Sequence, residues 1–245
     1  MTYTTIHVLR RLCPSAHQDI IDGVTSYFNA YAAKYGVITD LRICHFLAQA
    51  AVESAWFQTL EEYASGNEYE GRQDLGNTQP GDGVRYKGRG IFQVTGRANY
   101  DTMGKTMGVD LINHPELLLT SQYAVISALE FWKSRDLNRV ADTDDVNEVT
   151  RRINGGYNGI NDRRTALANM KIIMSGSVDD IGPGDRGDDV TRIQNSLKSR
   201  GYKVGMVDGD YGPATTAAVR QFQSDMQVKV TGVVDKNTLR LLEKQ

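Results

Sequence analysis

The stretch "MSGSVDDIGPGDRGDD", residues 174 to 189, sets Gly, Ser, Asp and a Pro between two helix-periodic segments. A helix or strand does not run through such a cluster, because glycine leaves the backbone loose and proline cannot donate its missing N–H. The chain is therefore predicted to form two domains, residues 1–178 and 179–245, both within ordinary domain sizes. With 40% hydrophobic and 24% charged residues over 245 positions, the larger part has enough apolar side chains for a real core.

In the smaller part, "DDVTRIQNSLKSRG" puts Val190, Ile193 and Leu197 on one helical face with Gly201 at the expected stop. A second helix is predicted from "YGPATTAAVRQFQ", with Pro213 in its first turn and Val219 and Phe222 inward, and a third from "VDKNTLRLL". "VDGDYGPATTAAV" is half-repeated in "VTGVVDKNTLRLL", which suggests two similar loop-helix units packed on the first helix. So small an apolar set leaves little room for a catalytic interior. These residues, over 182 to 243, resemble the peptidoglycan-binding module carried by many bacterial wall hydrolases, and the resemblance implies targeting to peptidoglycan.

In the larger part, Asp40 is a good N-cap for the helix "LRICHFLAQAAVESAWF". Ile43, Phe46, Leu47, Ala50, Ala51 and Phe57 form a broad apolar face, while His45, Gln49, Glu53 and Trp56 fall on the other side. With the helix running to about Gln58, Glu53 sits near its negative end and one turn from Trp56. Both neighbours disfavour a charged carboxyl, which suits a general acid. The chain then turns through "TLEEYASG", where Glu61 or Glu62 can face the first acid while staying ionised. Two carboxyls in unlike surroundings are the usual equipment for cleaving a glycosidic bond.

The segment "GDGVRYKGRGIFQVTGRANY", residues 81 to 100, adds glycines that let backbone approach a ligand, with Tyr86, Gln93, Thr95, Asn99 and Tyr100 among them. Aromatic faces mixed with neutral hydrogen-bonding groups suit sugars, which present apolar ring faces rimmed by hydroxyls and acetamides. A plain β-hairpin with polar edges reads the same way at this level.

Taken together, "HFLAQAAVES", the acid nine residues later, "YKGRGIFQVTGRANY" and "INGGYNGINDRR" resemble the family 19 glycoside hydrolases, a group of chitinases and phage endolysins. The resemblance implies a mainly α, lysozyme-like α+β fold with a small β-hairpin region. It implies Glu53 as general acid and Glu62 as general base. Thr95 would help hold the attacking water, and Gln93, Asn99, Asn154 and Arg164 would line the sugar cleft; Tyr86 and Tyr100 are sugar-contact candidates from their residue type alone. Inversion is then expected, with the carboxyls roughly 6.5–9.5 Å apart. The chain departs from the family in having Val52 before the acid and Ala55-Trp56 after Ser54, where a His and a Gly-Gly pair are common.

The combined reading is an endolysin that hydrolyses the β-1,4 bond between N-acetylmuramic acid and N-acetylglucosamine, acting as a monomer without metal or cofactor. A lytic transglycosylase using Glu53 alone and a chitinase are the alternatives. A formal charge of −2 gives no basic excess for nucleic acid or an anionic membrane. Cys13 and Cys44 form no metal pattern or disulfide framework, and His7, His17, His45 and His114 show no zinc-ligand spacing. A Cys44–His114 peptidase and a zinc amidase are thereby disfavoured, as is a wall-binding protein with a decayed cleft, since both acids are present. The N-terminus lacks an apolar run behind a basic start, and nowhere do 18 apolar residues run together. Host cytoplasm, with release to the wall through a holin-opened membrane, is the expected location, and membrane insertion is not expected.

Overall fold

The computed structural model describes residues 3–177 and 180–243, and these divide into two compact units. The first holds Leu12–Lys171 with the N-terminal residues up to Tyr3; the second joins Thr4–Arg11 to Ile172–Gln245. Residues 178 and 179, on either side of the sequence-based boundary, lie outside the described residues.

Helices dominate, in chain order α1 (Ile6–Leu12), α2 (Gln18–Tyr31), α3 (Asp40–Glu53), α4 (Asp82–Arg85), α5 (Arg97–Met107), α6 (Ser121–Ser134), α7 (Leu137–Ala141), α8 (Val146–Asn154) and α9 (Ile160–Ser177). The second unit continues with α10 (Asp188–Ser199), α11 (Pro213–Asp225) and α12 (Lys236–Glu243). Thr39, not Asp40, caps α3, its hydroxyl accepting from Arg42 N at 3.3 Å. Asp40 becomes a first-turn acid there, where the helix dipole favours it.

Phe46 of α3 centres the first unit's core. Its ring lies 5.1 Å from Phe28 of α2, 5.3 Å from Trp132 of α6 and 5.7 Å from Phe92 of the glycine-rich segment. Such pairs add about 0.5–1.5 kcal/mol each beyond area burial, and truncating a ring so placed costs about 3–5 kcal/mol. This cluster ties the helix that carries Glu53 to the segment that carries Gln93 and Thr95. Helices α2 and α6 approach so closely that a Cβ on Gly23 would lie 2.0 Å from Ser121 Oγ.

The polar side of α3 departs from its sequence reading. His45 and Gln49 are fully buried, because residues around α8 and α9 cover that side and supply their partners. His45 Nε2 meets Asp144 Oδ1 at 2.9 Å, and Gln49 donates to Thr150 Oγ1 at 3.3 Å. Burial pushes the His45 imidazole below its ordinary range, only partly offset by Asp144.

In the second unit Val190, Ile193, Leu197, Val219 and Phe222 form one core with Tyr211, Val234 and Leu242. The half-repeat has a structural counterpart. Gln194, 1% exposed, donates to Asp208 Oδ1, Asp210 O and Thr215 Oγ1 and accepts from Gly209 N. Gln223, 0% exposed, donates to Thr231 Oγ1, Val233 O and Thr238 Oγ1 and accepts from Thr231 N and Gly232 N. Each buried amide thus closes one loop onto the next helix, satisfying backbone groups that burial would otherwise orphan.

Candidate active site

Helix α3 ends on Glu53 itself, one turn earlier than its periodicity suggests. Ala55, Trp56 and Phe57 follow at φ of 50°, 62° and 58°, a left-handed turn of three non-glycine residues. Each such residue costs about 1–2 kcal/mol, so the turn persists only where its surroundings impose it. Ser54 is one cause, since its buried hydroxyl donates to Ala50 O at 2.7 Å and accepts from Phe57 N at 3.1 Å. The insertion of Phe57, fully buried, is another.

The Glu53 side chain is 17% exposed, and its surroundings are not the apolar ones inferred from Trp56. Arg163, early in α9, donates from Nη2 to Glu53 Oε1 at 2.7 Å. The same guanidinium donates from Nη1 to Gln49 and from Nε to Asn158 O. Three fixed partners leave the guanidinium little freedom, so it positions the carboxyl. Glu53 Oε2 has no protein partner among the described residues and is free to face a substrate. The arginine that meets the acid is therefore Arg163, not its neighbour Arg164, which is exposed and donates to Asn147.

Glu62 is held by backbone pairing. Gly90 N donates to Leu60 O, Glu62 N donates to Gly88 O, and Glu61 bridges Arg89, which bridges Val94 in turn. Adjacent residues of an extended strand point to opposite sides, which separates the two acids. Glu61 lies on Arg89, at 2.9 Å, and Lys87, at 3.3 Å, and is neutralised by them. Glu62 instead accepts from Gly88 N at 2.6 Å on Oε1 and from Tyr69 O–H at 2.8 Å on Oε2. Burial and the Glu62 contact push the Tyr69 phenol up to about 12, so it stays protonated and keeps donating at neutral pH. Each carboxylate oxygen retains a lone pair for one more donor.

Thr95 comes to the same place. A Cβ added to Gly88 would lie 3.3 Å from the Glu62 carboxyl carbon, 3.3 Å from Thr95 Oγ1 and 2.8 Å from Gln93 Oε1. These three polar groups thus surround the place that a Gly88 side chain would take. The Thr95 hydroxyl donates to Gln93 O at 2.9 Å, leaving its oxygen lone pairs available. Gln93, Thr95 and Asn99 also line a cleft of about 530 Å³ with Leu75, Phe92 and Phe131; Glu53 and Glu62 do not line that cleft.

Tyr86 and Tyr100, proposed from the sequence to contact sugar, are core residues, 1% and 0% exposed. Their rings pack together at 5.2 Å, and their hydroxyls donate to Ile112 O and Lys87 O. Tyr86 follows the last residue of α4 and Tyr100 lies on α5, and both rings enter one core with Val94, Leu111 and Leu118. Asn154 ends α8 half-buried and braces its loop, accepting from Gly156 N at 2.9 Å and donating to Asn158 O at 3.0 Å. Arg163 and Tyr69 were missed in the sequence. The double arginine "RR" after "INGGYNGIND" carried a signal for the first, but spacing alone could not choose between its members.

Cys13 and Cys44 are buried cysteines, and burial pushes the Cys44 thiol up to about 12. His114 is exposed and pairs with Glu116. Neither residue is equipped as half of a nucleophile pair. Among the described residues, no group of three His, Cys, Asp or Glu side chains is placed to hold a metal ion, and no helix is long and apolar enough to cross a membrane.

A family model described as chitinase class I matches residues 28–152, half of the chain, and spans both acids, Gly88 and Thr95. The chain belongs to glycoside hydrolase family 19. A second model, for a peptidoglycan binding domain, matches residues 186–242. A Haemophilus influenzae protein described as containing a glycosyl hydrolase family 19 domain is 31% identical, over 58% of this chain and 85% of that one. An Arabidopsis thaliana endochitinase is 34% identical over 59% of this chain and 48% of its own length, so the chain spans about half of that plant relative. The spore cortex-lytic enzyme of Bacillus subtilis is 39% identical over 32% of this chain and 26% of that one. Chitinase C from Streptomyces griseus shares the fold, with a TM-score of 0.61 at 19% identity over 71% of this chain and 77% of that one. The family 19 chain thus pairs a mainly helical, lysozyme-like hydrolase with a helical peptidoglycan-binding domain.

Proposed function

We propose that this family 19 enzyme is an endolysin that hydrolyses the β-1,4 bond between N-acetylmuramic acid and N-acetylglucosamine in peptidoglycan, with inversion. The observation that carries the reading is that the Glu62 carboxyl and the Thr95 hydroxyl both lie within 3.3 Å of the place a Gly88 side chain would take, in a chain that also holds a peptidoglycan-binding domain. A water seated there donates to Glu62 and to Thr95 Oγ1, with one lone pair aimed at the anomeric carbon. Glu53, oriented by Arg163 through Oε1, delivers the proton of Oε2 to the glycosidic oxygen. The C–O bond breaks as water adds on the opposite ring face, and Glu62 takes the water proton. Glu53 ends ionised and Glu62 protonated, and solvent restores both. Asn154 and Arg164 contribute to the cleft margin in this reading.

Mass spectrometry of fragments released from purified peptidoglycan by wild type, Glu53→Gln and Glu62→Gln tests it. Reducing N-acetylmuramic acid ends, lost in both variants, support it. Anhydro ends with Glu62→Gln still active mean a transglycosylase, and turnover of N-acetylglucosamine polymers in preference to peptidoglycan means a chitinase, the reading that the plant relatives favour. As an endolysin the protein is held in the host cytoplasm and reaches the wall when a holin opens the membrane. Expression in a bacterial host should therefore cause lysis only after the membrane is permeabilised, and spontaneous lysis of intact cells would refute that placement.

A further inference from the structure

The cleft of about 530 Å³ that opens beside Thr95 has two components. Phe92, Met103 and Phe131 give it an apolar floor, and Gln93, Thr95, Asn99 and Thr102 give it neutral hydrogen-bonding groups. That much suits any N-acetylated glycan. Its remaining margin is charged, by Lys133 at the end of α6 and Arg135 just after it, with Glu130 one turn back.

These two cations differ from most of those in their unit. In the same unit, Arg42, Lys87, Arg89, Arg97, Arg163 and Lys171 each lie on a carboxylate. Lys133 and Arg135 are exposed and have no carboxylate partner among the described residues. The acid beside them is engaged elsewhere, since Glu130 accepts from Tyr35 O–H at 2.6 Å. Arg135 is also preset. Its guanidinium lies over the Phe131 ring at 5.2 Å, and its carbonyl is held by Arg152 Nη1 at 2.9 Å. An oriented guanidinium beside a second cation, both without a carboxylate partner among the described residues and both on the rim of a sugar-sized cleft, suits an anionic ligand.

We propose that Lys133 and Arg135 recognise the carboxylates that muramic acid residues bring to the cleft, and so select peptidoglycan over neutral chitin. This rests on the glycosidase reading of the adjoining site. Chitin carries no charge along its length. In peptidoglycan every second sugar bears a lactyl group, whose carboxyl is either free or joined to a stem peptide with carboxylates of its own. Both sources present the same group to the same two cations.

The test is titration calorimetry and steady-state turnover of the full chain, wild type against Lys133→Met/Arg135→Gln. Three ligands are used: muropeptide-bearing glycan fragments, the same strands stripped of peptide so that the lactyl carboxylates are free, and N-acetylglucosamine hexamer. Binding is measured in a Glu62→Gln background, so that ligands survive the titration. Two exposed charge contacts together are worth about tenfold in affinity. The double variant should lose about tenfold in Kd and KM on stripped strands, with kcat and hexamer binding within twofold and with a weaker dependence on salt. A loss confined to peptide-bearing fragments assigns the carboxylates to the stem peptide and supports the proposal equally. Unchanged affinity for both carboxylated ligands, or an equal loss on the hexamer, overturns it. A wild type that cleaves no glycan yet prefers carboxylated strands, with that preference lost in the double variant, would sink the glycosidase reading while leaving this inference standing. Lys133→Glu/Arg135→Glu, which also replaces only exposed side chains, should deepen the loss if charge is the cause.

Discussion

Replacing Gly88 by alanine adds one methyl group at the point where the Glu62 carboxyl, Thr95 Oγ1 and Gln93 Oε1 converge. Gly88 does not adopt the left-handed backbone reserved for glycine, so alanine strains no dihedral there. The methyl would sit 2.8 Å from Gln93 Oε1, the far end of a side chain that can swing away, and 3.3 Å from the other two groups. The fold therefore absorbs it. Loss of unfolded-state freedom, worth about 0.4–1 kcal/mol, offsets part of the steric cost, and thermal stability should change by only a few degrees. The volume between Glu62 and Thr95, in contrast, is filled. If the attacking water sits there, it is displaced by roughly its own radius, and misplacement on that scale costs about 100-fold in rate, or about 2.7 kcal/mol of barrier. Release of reducing ends from peptidoglycan should fall by that factor in kcat, with a smaller change in KM because Gln93 alone among the cleft residues has to move. A Gly88→Ala enzyme that folds normally and keeps more than a third of wild-type kcat would refute the placement of the water, and with it the role given to Thr95.

Three further outcomes follow from the same geometry. Arg163→Lys keeps the charge but cannot serve Glu53, Gln49 and Asn158 together; it should lower kcat at least tenfold and stability by about 1–3 kcal/mol, read by activity and thermal melting. Gln223→Leu strips the buried amide that closes one loop of the second unit, so sacculus binding and melting temperature should fall while turnover of short soluble glycans stays within twofold. Arg151 and Arg152 hold Glu148 down to about 2, against an ordinary 4.5; its stabilising contribution is complete above pH 4.5 and is lost as pH falls toward 2. Glu148→Gln should accordingly flatten acid unfolding between those limits, and an unaltered curve would show the pairing to be inert.

What the sequence by itself determined were features written over a few turns of chain. Helical periodicity and a Pro-Gly cluster are local, so α3 and the second unit's helices, with Val190, Ile193, Leu197, Val219 and Phe222 inward, were legible before any coordinates. The candidacy of Glu53 with Glu61 or Glu62 was drawn from the same short stretch, because few acids sit at the end of an apolar run. Only the tertiary structure decided which neighbours these residues meet. Glu53 and its arginine are 110 positions apart, and Gln49 and Thr150 are 101 apart. No local period carries such pairings. The same holds for exposure: His45 and Gln49 read as a polar face until Asp144, Thr150 and Arg163 were packed over them, and Tyr86 and Tyr100 read as a sugar platform until Leu111 and Leu118 were packed with both. A polar side chain is buried when a distant segment satisfies it and an aromatic one when a distant segment covers it, so only the folded chain could show which did either.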